Sequence, residues 1–262
     1  MRNKIITLLH DLEQKHDIII LLAVNYGSRC FGYASAESDW DVRFIYVHRP
    51  QWYFSIGKTD DTIELMLEGE HLDIEGYDLK KALQLIVKTN PVESDWLHAD
   101  DYYILDRDFL RAMQDFEAQC YNSHHAMYHF YSISVKHNQR YLDKELTLKR
   151  FIYYMRGLLS CRWVEENGSH PPVNIDELID ATITDAPDVC AKAHRLLALK
   201  RTSKAHDMAI VDAELAAYVV NLQHHYEKQL PLYKTGKHQA DLEAMTRFLM
   251  DTVMQSRPTK SE

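Results

Sequence analysis

Over the first hundred residues the apolar positions change period several times, and each change marks an element. Ile5, Leu8, Leu9 and Leu12 recur at helical spacing and predict a helix over 3–15. The run DIIILLAVN, from Asp17 to Asn25, is β-branched and continuously apolar, which predicts a buried strand. A loop rich in small residues, YGSRCFGYASAESD, leads into WDVRFIYVHRP, whose β-branched and aromatic content predicts a second strand stopped by Pro50. Further strands are expected at 52–57, WYFSIG, and 61–67, DTIELML. In GEHLDIEGYD the alternation is strict: Leu72 and Ile74 share one face, while His71, Asp73 and Glu75 share the other.

From Asp78 the period becomes helical. Leu79, Leu83, Ile86 and Val87 form a stripe that ends at the Asn90-Pro91 turn. After a short stretch around Asp95, Trp96 and Leu97, nearly everything to Met254 reads as helix, with breaks at Gly168 to Pro172 and around Pro187. No internal repeat is visible, and the polar tail SRPTKSE is expected to fray. The pattern predicts an α+β chain: a mixed β-sheet with flanking helices over 1–105, then an all-helical C-terminal domain over 106–262.

Composition narrows this picture. Among 262 residues there are only 8 Gly and 7 Pro, about half the usual share, so long irregular architecture is excluded. The 46% hydrophobic content provides a core and excludes disorder for the bulk of the chain. Thirty-nine acidic against 30 basic residues give a formal charge of -9, which disfavours charge-driven binding to nucleic acid or an anionic membrane. Any nucleic-acid contact must use a local patch. Cys30, Cys120, Cys161 and Cys190 are scattered with no Cys-x-x-Cys pair, so neither a zinc ribbon nor a disulfide framework is suggested. The charged N-terminus does not read as a secretion signal, and no apolar stretch approaches transmembrane length. A cytoplasmic protein with no membrane partner is expected.

The chemistry is concentrated in one pattern. Gly27-Ser28 is followed, eleven residues after the serine, by Asp39-Trp40-Asp41-Val42, and then by Asp73 on another predicted strand. Asp39 and Asp41 alternate with apolar neighbours, so on a strand their carboxylates share a face. Three carboxylates on one sheet face repel one another unless divalent cations neutralise them, and an oxygen-only set suits Mg2+ or Mn2+ rather than zinc. Two such ions can align an attacking hydroxyl with an α-phosphate and stabilise departing pyrophosphate. Gly27 lets backbone approach a phosphate, and Ser28 offers a hydroxyl. Gly27 to Gly32 has P-loop spacing, but Tyr33 and Ala34 stand where Lys and Ser/Thr are needed, which rejects a Walker-type ATPase.

Gly-Ser, a spacer, Asp-x-Asp and a later third acid resemble the DNA polymerase β-type nucleotidyltransferase superfamily. More narrowly, YGSRCFGYASAESDWDVRFIYV, DIEGYDLKKALQLIVKTNPVESDWL and KRFIYYMRGLLSCRWV before Pro171-Pro172 resemble the nucleotidyltransferases associated with bacterial RNA repair. That resemblance implies the nucleotidyltransferase fold, a metal-bound nucleoside triphosphate, and transfer of a nucleoside monophosphate to an acceptor hydroxyl. It assigns Gly27 and Ser28 to the phosphate turn, Asp39 and Asp41 to the paired metal ligands, and Asp73 to the third ligand and general base, with Glu75 as competitor. The acceptor is left open between an RNA end, towards which the resemblance leans, a protein and a small molecule. Gly157 stands where the helical block would have Pro, and Asp95 where the turn motif has Glu.

Other residues carry two readings each. Arg43 faces the same way as the acids and either contacts phosphate or pairs with Asp73. Arg29 reads first as a loop charge and second as a phosphate contact. Lys149, Tyr153 and Arg156 fall at i, i+4 and i+7 and form either a cationic clamp on the nucleotide or a solvated helix face. Lys136, His137, Arg140, Lys144, Lys149 and Arg150 make a basic stretch that is the best acceptor groove or merely a helix face. His125 and His129 have ligand spacing without an intervening Glu, so a surface cluster is the better reading. Trp96 and Trp163 are expected as core anchors. Two rival classes stay in view: a catalytically silent nucleotide- or RNA-binding module, and a helical protein-interaction protein.

Overall fold

The computed structural model describes residues 1–57, 59–139, 147–203, 211–233 and 240–255. Helix α1 (Arg2–His16) precedes strand β1 (Ile18–Tyr26), the single turn α2 (Gly27–Cys30), β2 (Trp40–His48), the turn α3 (Pro50–Tyr53), β3 (Thr62–Leu67) and β4 (Leu72–Asp78). Helices α4 (Leu79–Val87) and α5 (Pro91–Leu97) lead to β5 (Tyr102–Leu105). Among the described residues the helices that follow are α6 (Arg107–Cys120), α7 (Ser123–Gln139), α8 (Leu148–Asn167), α9 (Ile175–Thr182), α10 (Pro187–Thr202), α11 (Ala213–Gln229) and α12 (Leu242–Gln255). The fold is α+β, with a mixed five-stranded sheet in the order β3-β4-β2-β1-β5. The β2–β4 pair is parallel and the other three pairs are antiparallel.

Alternation along the strands divides the core between the two sheet faces. Val42, Phe44 and Tyr46 of β2 join Leu72 and Ile74 of β4 beneath Ile5, Leu9 and Leu12 of α1. On the opposite face, Ile45 and Val47 meet Leu79, Leu83 and Ile86 of α4 and the helices beyond, in one core that runs from Leu21 to Val253. That core crosses the expected boundary at 105/106. Trp96 is fully buried within it and Trp163 packs against it.

The expected strand over 52–57 is not formed; α3 occupies its start. Pro50 takes the first helical position after an extended Arg49, where its fixed φ suits a helix. Trp52 then stacks on His48 with ring centroids 4.0 Å apart, and the Tyr53 hydroxyl donates to Asp78 over 2.7 Å. Phe54 and Ile56 are left exposed, so their apolar character served no sheet. The stretch around Asp95 to Leu97 is helix α5, capped by Asn90, whose side chain accepts from the Val92 N–H. The strand β5 is a four-residue edge, too short for alternation to reveal. The SRPTKSE tail and the side chains of His137, Arg140 and Lys144 lie outside the described residues.

Candidate active site

The odd-numbered residues of β2 change character along the strand: Asp41 and Arg43 at its start, Ile45 and Val47 at its end. All four share the face covered by the helices, so the charged pair lies where that cover stops. Parallel pairing sets Asp41 beside Asp73 and Arg43 beside Glu75. Antiparallel pairing sets Tyr26, the last residue of β1, beside Asp41. The chain then turns at Gly27, whose φ of 64° is a left-handed conformation. A Cβ there would stand 2.0 Å from Asp41 Oδ2. The glycine is thus required twice, by its dihedral and by the carboxylate pressed against it.

Ser28 is buried behind this turn. It lines an open cavity of about 760 Å³ together with Asp39, Asp41, His71, Lys149 and Lys200. Asp39 is exposed just before β2, and its carboxylate meets His71 Nδ1 at 3.1 Å. Arg29 fixes the entry to the strand: its guanidinium donates to the carbonyls of Ser38 (2.8 Å) and Asp39 (3.1 Å) and lies 3.7 Å over the Trp40 ring. Burial lifts the Asp41 carboxyl above its ordinary range; Asp73 and Asp39 add to that rise, while Arg43 and Lys149 oppose it. A carboxylate made costly in this way is one that a cation would relieve.

Arg43 pairs with Asp73 over 2.7 Å and reaches Glu75 at 3.4 Å. Of the two readings of Arg43, this geometry displays the ion pair. Asp73 is therefore beside Asp41 in register but turned toward Arg43, and it does not line the cavity.

The Lys149–Tyr153–Arg156 stripe does not stay together. Lys149, in the first turn of α8, is exposed and reaches the acidic cavity, whereas Arg156 is buried and faces a second cavity of about 290 Å³. Tyr26, Phe31, Asp95 and Tyr153 share that second cavity with it. The Arg156 guanidinium donates to Asp95 Oδ1 over 3.0 Å and lies 4.0 Å over the Phe31 ring. His170 Nε2 meets the same Asp95 oxygen at 3.1 Å, and the Tyr26 hydroxyl donates to the other at 3.4 Å. Burial works against the charge on Asp95, yet Arg156 and His170 hold its carboxyl below the ordinary range. Arg156 thus sits inside the helical layer, paired with Asp95, and not on an exposed stripe with Lys149.

Gly157 has a reason of its own. A Cβ there would come within 2.0 Å of Ser134 Oγ and 2.9 Å of the Phe130 carbonyl, so α7 and α8 cross too closely for any side chain. Lys200, buried in the last turn of α10, and His71 were not singled out as site residues. His71 was visible on the polar face of the β4 segment, but Lys200 left no local signal. Among the described residues, His125 and His129 do not converge with a third metal-ligating side chain.

The family model described as RlaP, RNA repair pathway DNA polymerase beta family, matches residues 1–251. The uncharacterized protein YcgL of Bacillus subtilis (strain 168) is 33% identical over 209 residues, which cover 79% of this chain and 80% of that relative. A nucleotidyltransferase-like protein of known structure from Exiguobacterium sibiricum 255-15 is similar over 97% of this chain and 81% of its own, at 11% identity and a TM-score of 0.35.

Proposed function

This chain belongs to the RNA repair pathway DNA polymerase beta family, and we propose that it transfers a nucleoside monophosphate from a nucleoside triphosphate to an acceptor hydroxyl with the help of Mg2+ or Mn2+. The observation that carries the reading is the cradle at Gly27: a turn with no side chain, pressed against Asp41, with Asp73 one strand away in register. The donor set fits the metal, because it is made of carboxylate oxygens alone. Asp39, Asp41 and Asp73 would hold the ions, which would neutralise the triphosphate and make the acceptor hydroxyl more acidic.

The remaining work falls to the chain itself. Ser28 and the Gly27 backbone receive the β- and γ-phosphates. Lys149 and Lys200, on the helical wall of the same cavity, offset their charge. Asp73 accepts the proton of the acceptor hydroxyl and is preferred over Glu75, because Asp73 is the one paired with Asp41. Arg43 releases Asp73 as the phosphates arrive and contacts them in its place. The second cavity begins at Tyr26, next to Asp41, so its aromatic wall is the proposed seat of the nucleobase. Tyr153 contacts the base there, and Arg156 positions the wall through Asp95. An RNA end is the favoured acceptor, on family membership; a protein side chain or a small molecule would use the same acids.

The test is calorimetric titration of each of the four nucleoside triphosphates, with and without Mg2+, on the wild type and on an Asp39→Asn, Asp41→Asn double variant. Mg2+-dependent binding that the variant loses is expected. Absence of binding by every triphosphate would overturn the reading in favour of an interaction protein. The specific observation behind that second reading is an apolar groove of about 470 Å³ between α4 and α12, lined by Leu83, Val87, Met245, Leu249 and Met250.

A further inference from the structure

Away from the acidic cavity, α9 and α10 each present two donor side chains one turn apart. Asp176 and Asp180 lie on α9, and Cys190 and His194 on α10. Asp180 Oδ1 lies 2.7 Å from His194 Nε2 and 3.8 Å from Cys190 Sγ. The donor atoms of Asp180, Cys190 and His194 all fall within 4.8 Å of one another, the one such grouping among the described residues.

The spacing can be compared with what a metal demands. With metal–sulfur bonds of about 2.3 Å and metal–nitrogen or metal–oxygen bonds of about 2.0 Å, tetrahedral angles put sulfur and oxygen about 3.5 Å apart and nitrogen and oxygen about 3.3 Å apart. The observed sulfur–oxygen distance is within a few tenths of that figure. The nitrogen–oxygen pair needs to open by about 0.6 Å, which a small rotation of the largely exposed Asp180 side chain provides.

The second observation lies on the far side of the imidazole. His194 Nδ1 meets Asp176 Oδ1 at 3.0 Å. A histidine whose outer nitrogen donates to a carboxylate is fixed in the tautomer that offers its inner lone pair to a metal. Asp176 is itself held by Arg201, which also donates to the Gly32 carbonyl over 2.8 Å. The cluster is thereby tied to the loop that follows the Gly27-Ser28 turn.

We propose that Asp180, Cys190 and His194 form a binding site for a transition-metal ion of the zinc class, with water as fourth ligand. A thiolate and an imidazole in the set select such an ion over magnesium. On binding, the Cys190 S–H bond breaks, the sulfur bonds to the metal and the proton leaves to solvent. The ion fastens α9 to α10 and, through Asp176 and Arg201, steadies the loop at Gly32. This site is independent of the nucleotide reading, because it shares no residue with the acids of β2 and β4. The rival arrangement is a histidine bridging the two aspartates, with the Cys190 thiol donating to Asp180 over 3.8 Å, and the metal titration separates the two.

The test is a titration of the chelator-treated, tag-free full chain with Co2+, followed by absorption and repeated in the Asp39→Asn, Asp41→Asn background. One equivalent is expected to bind in both, with a thiolate-to-cobalt charge-transfer band in the near ultraviolet, about one proton released, and displacement by Zn2+. Cys190→Ser is expected to abolish the band, and His194→Gln to weaken binding at least about tenfold, the loss of one coordinating bond. Circular dichroism checks that each variant is folded, with Asp180→Asn as substitute for a variant that is not. No cobalt binding, binding without the charge-transfer band, or a band that survives Cys190→Ser would each overturn the proposal.

Discussion

A methyl group at residue 27 would violate two constraints at once. The left-handed dihedral of Gly27 costs an alanine about 1 kcal/mol or slightly more, and the added carbon would sit 2.0 Å from Asp41 Oδ2, forcing the carboxylate aside. Displacing a reacting group by about 1 Å is enough to lower a rate by about a hundredfold. Gly27→Ala is therefore expected to lower nucleotidyl transfer by about that factor while the melting temperature falls by only a few degrees; transfer at the wild-type rate would refute the cradle. At this scale much of the site was legible in advance. Strand alternation alone puts Asp41, Asp73 and Glu75 on polar faces, and the short spacer from Ser28 to Asp39 needs no knowledge of the fold. Lys200 and the Asp95–Arg156 pair were not legible, because contacts between residues so far apart in sequence leave no periodic trace.

At the level of the element, α8 carries both a cavity-facing and a buried cation, and their removal should have opposite signatures. Lys149→Ala removes an exposed charge from the acidic cavity and is expected to raise the Michaelis constant for the triphosphate by about tenfold, the worth of one charge-assisted contact, with thermal stability unchanged. Arg156→Ala leaves Asp95 buried without its main partner and is expected to cost about 3–5 kcal/mol in urea unfolding. Equal stability of the two variants would contradict the burial of Arg156. The helices themselves were legible from their period, whereas WYFSIG shows where composition misleads. Aromatic residues favour strands only when a pleated surface receives them. Here Pro50 set a helical turn, and the Tyr53–Asp78 hydrogen bond held it in place of a strand.

Across the whole molecule, α5, α6 and the turn after α8 meet where the partly exposed His98 sets its Nε2 2.6 Å from the buried Glu117 and stacks its ring on that of His170. Burial disfavours the charged form of both partners, but their hydrogen bond prevails: His98 is raised from its ordinary 6.5 and Glu117 lowered from 4.5. The signs give opposite pH limbs. The His98 contribution is fully present below 6.5 and is lost as pH rises through the elevated value; the Glu117 contribution is present above 4.5 and is lost as pH falls through the depressed one. The stability difference between wild type and His98→Gln, read from melting temperatures, is expected to be largest between those values and to shrink as pH rises past neutrality. A difference that grows with alkalinity would remove the pair from this role.

The larger core, which runs unbroken from Leu21 to Val253, also limits how such a molecule can diversify. Leu83 and Ile86 of α4 and Trp96 of α5 are walls of the same interior as Leu158, Leu197 and Met245. A foreign helical half grafted onto this sheet would have to match that interior in volume and apolar pattern before it could fold. Changes in what the cavities admit are therefore accessible through point changes on their rims, not through exchange of modules.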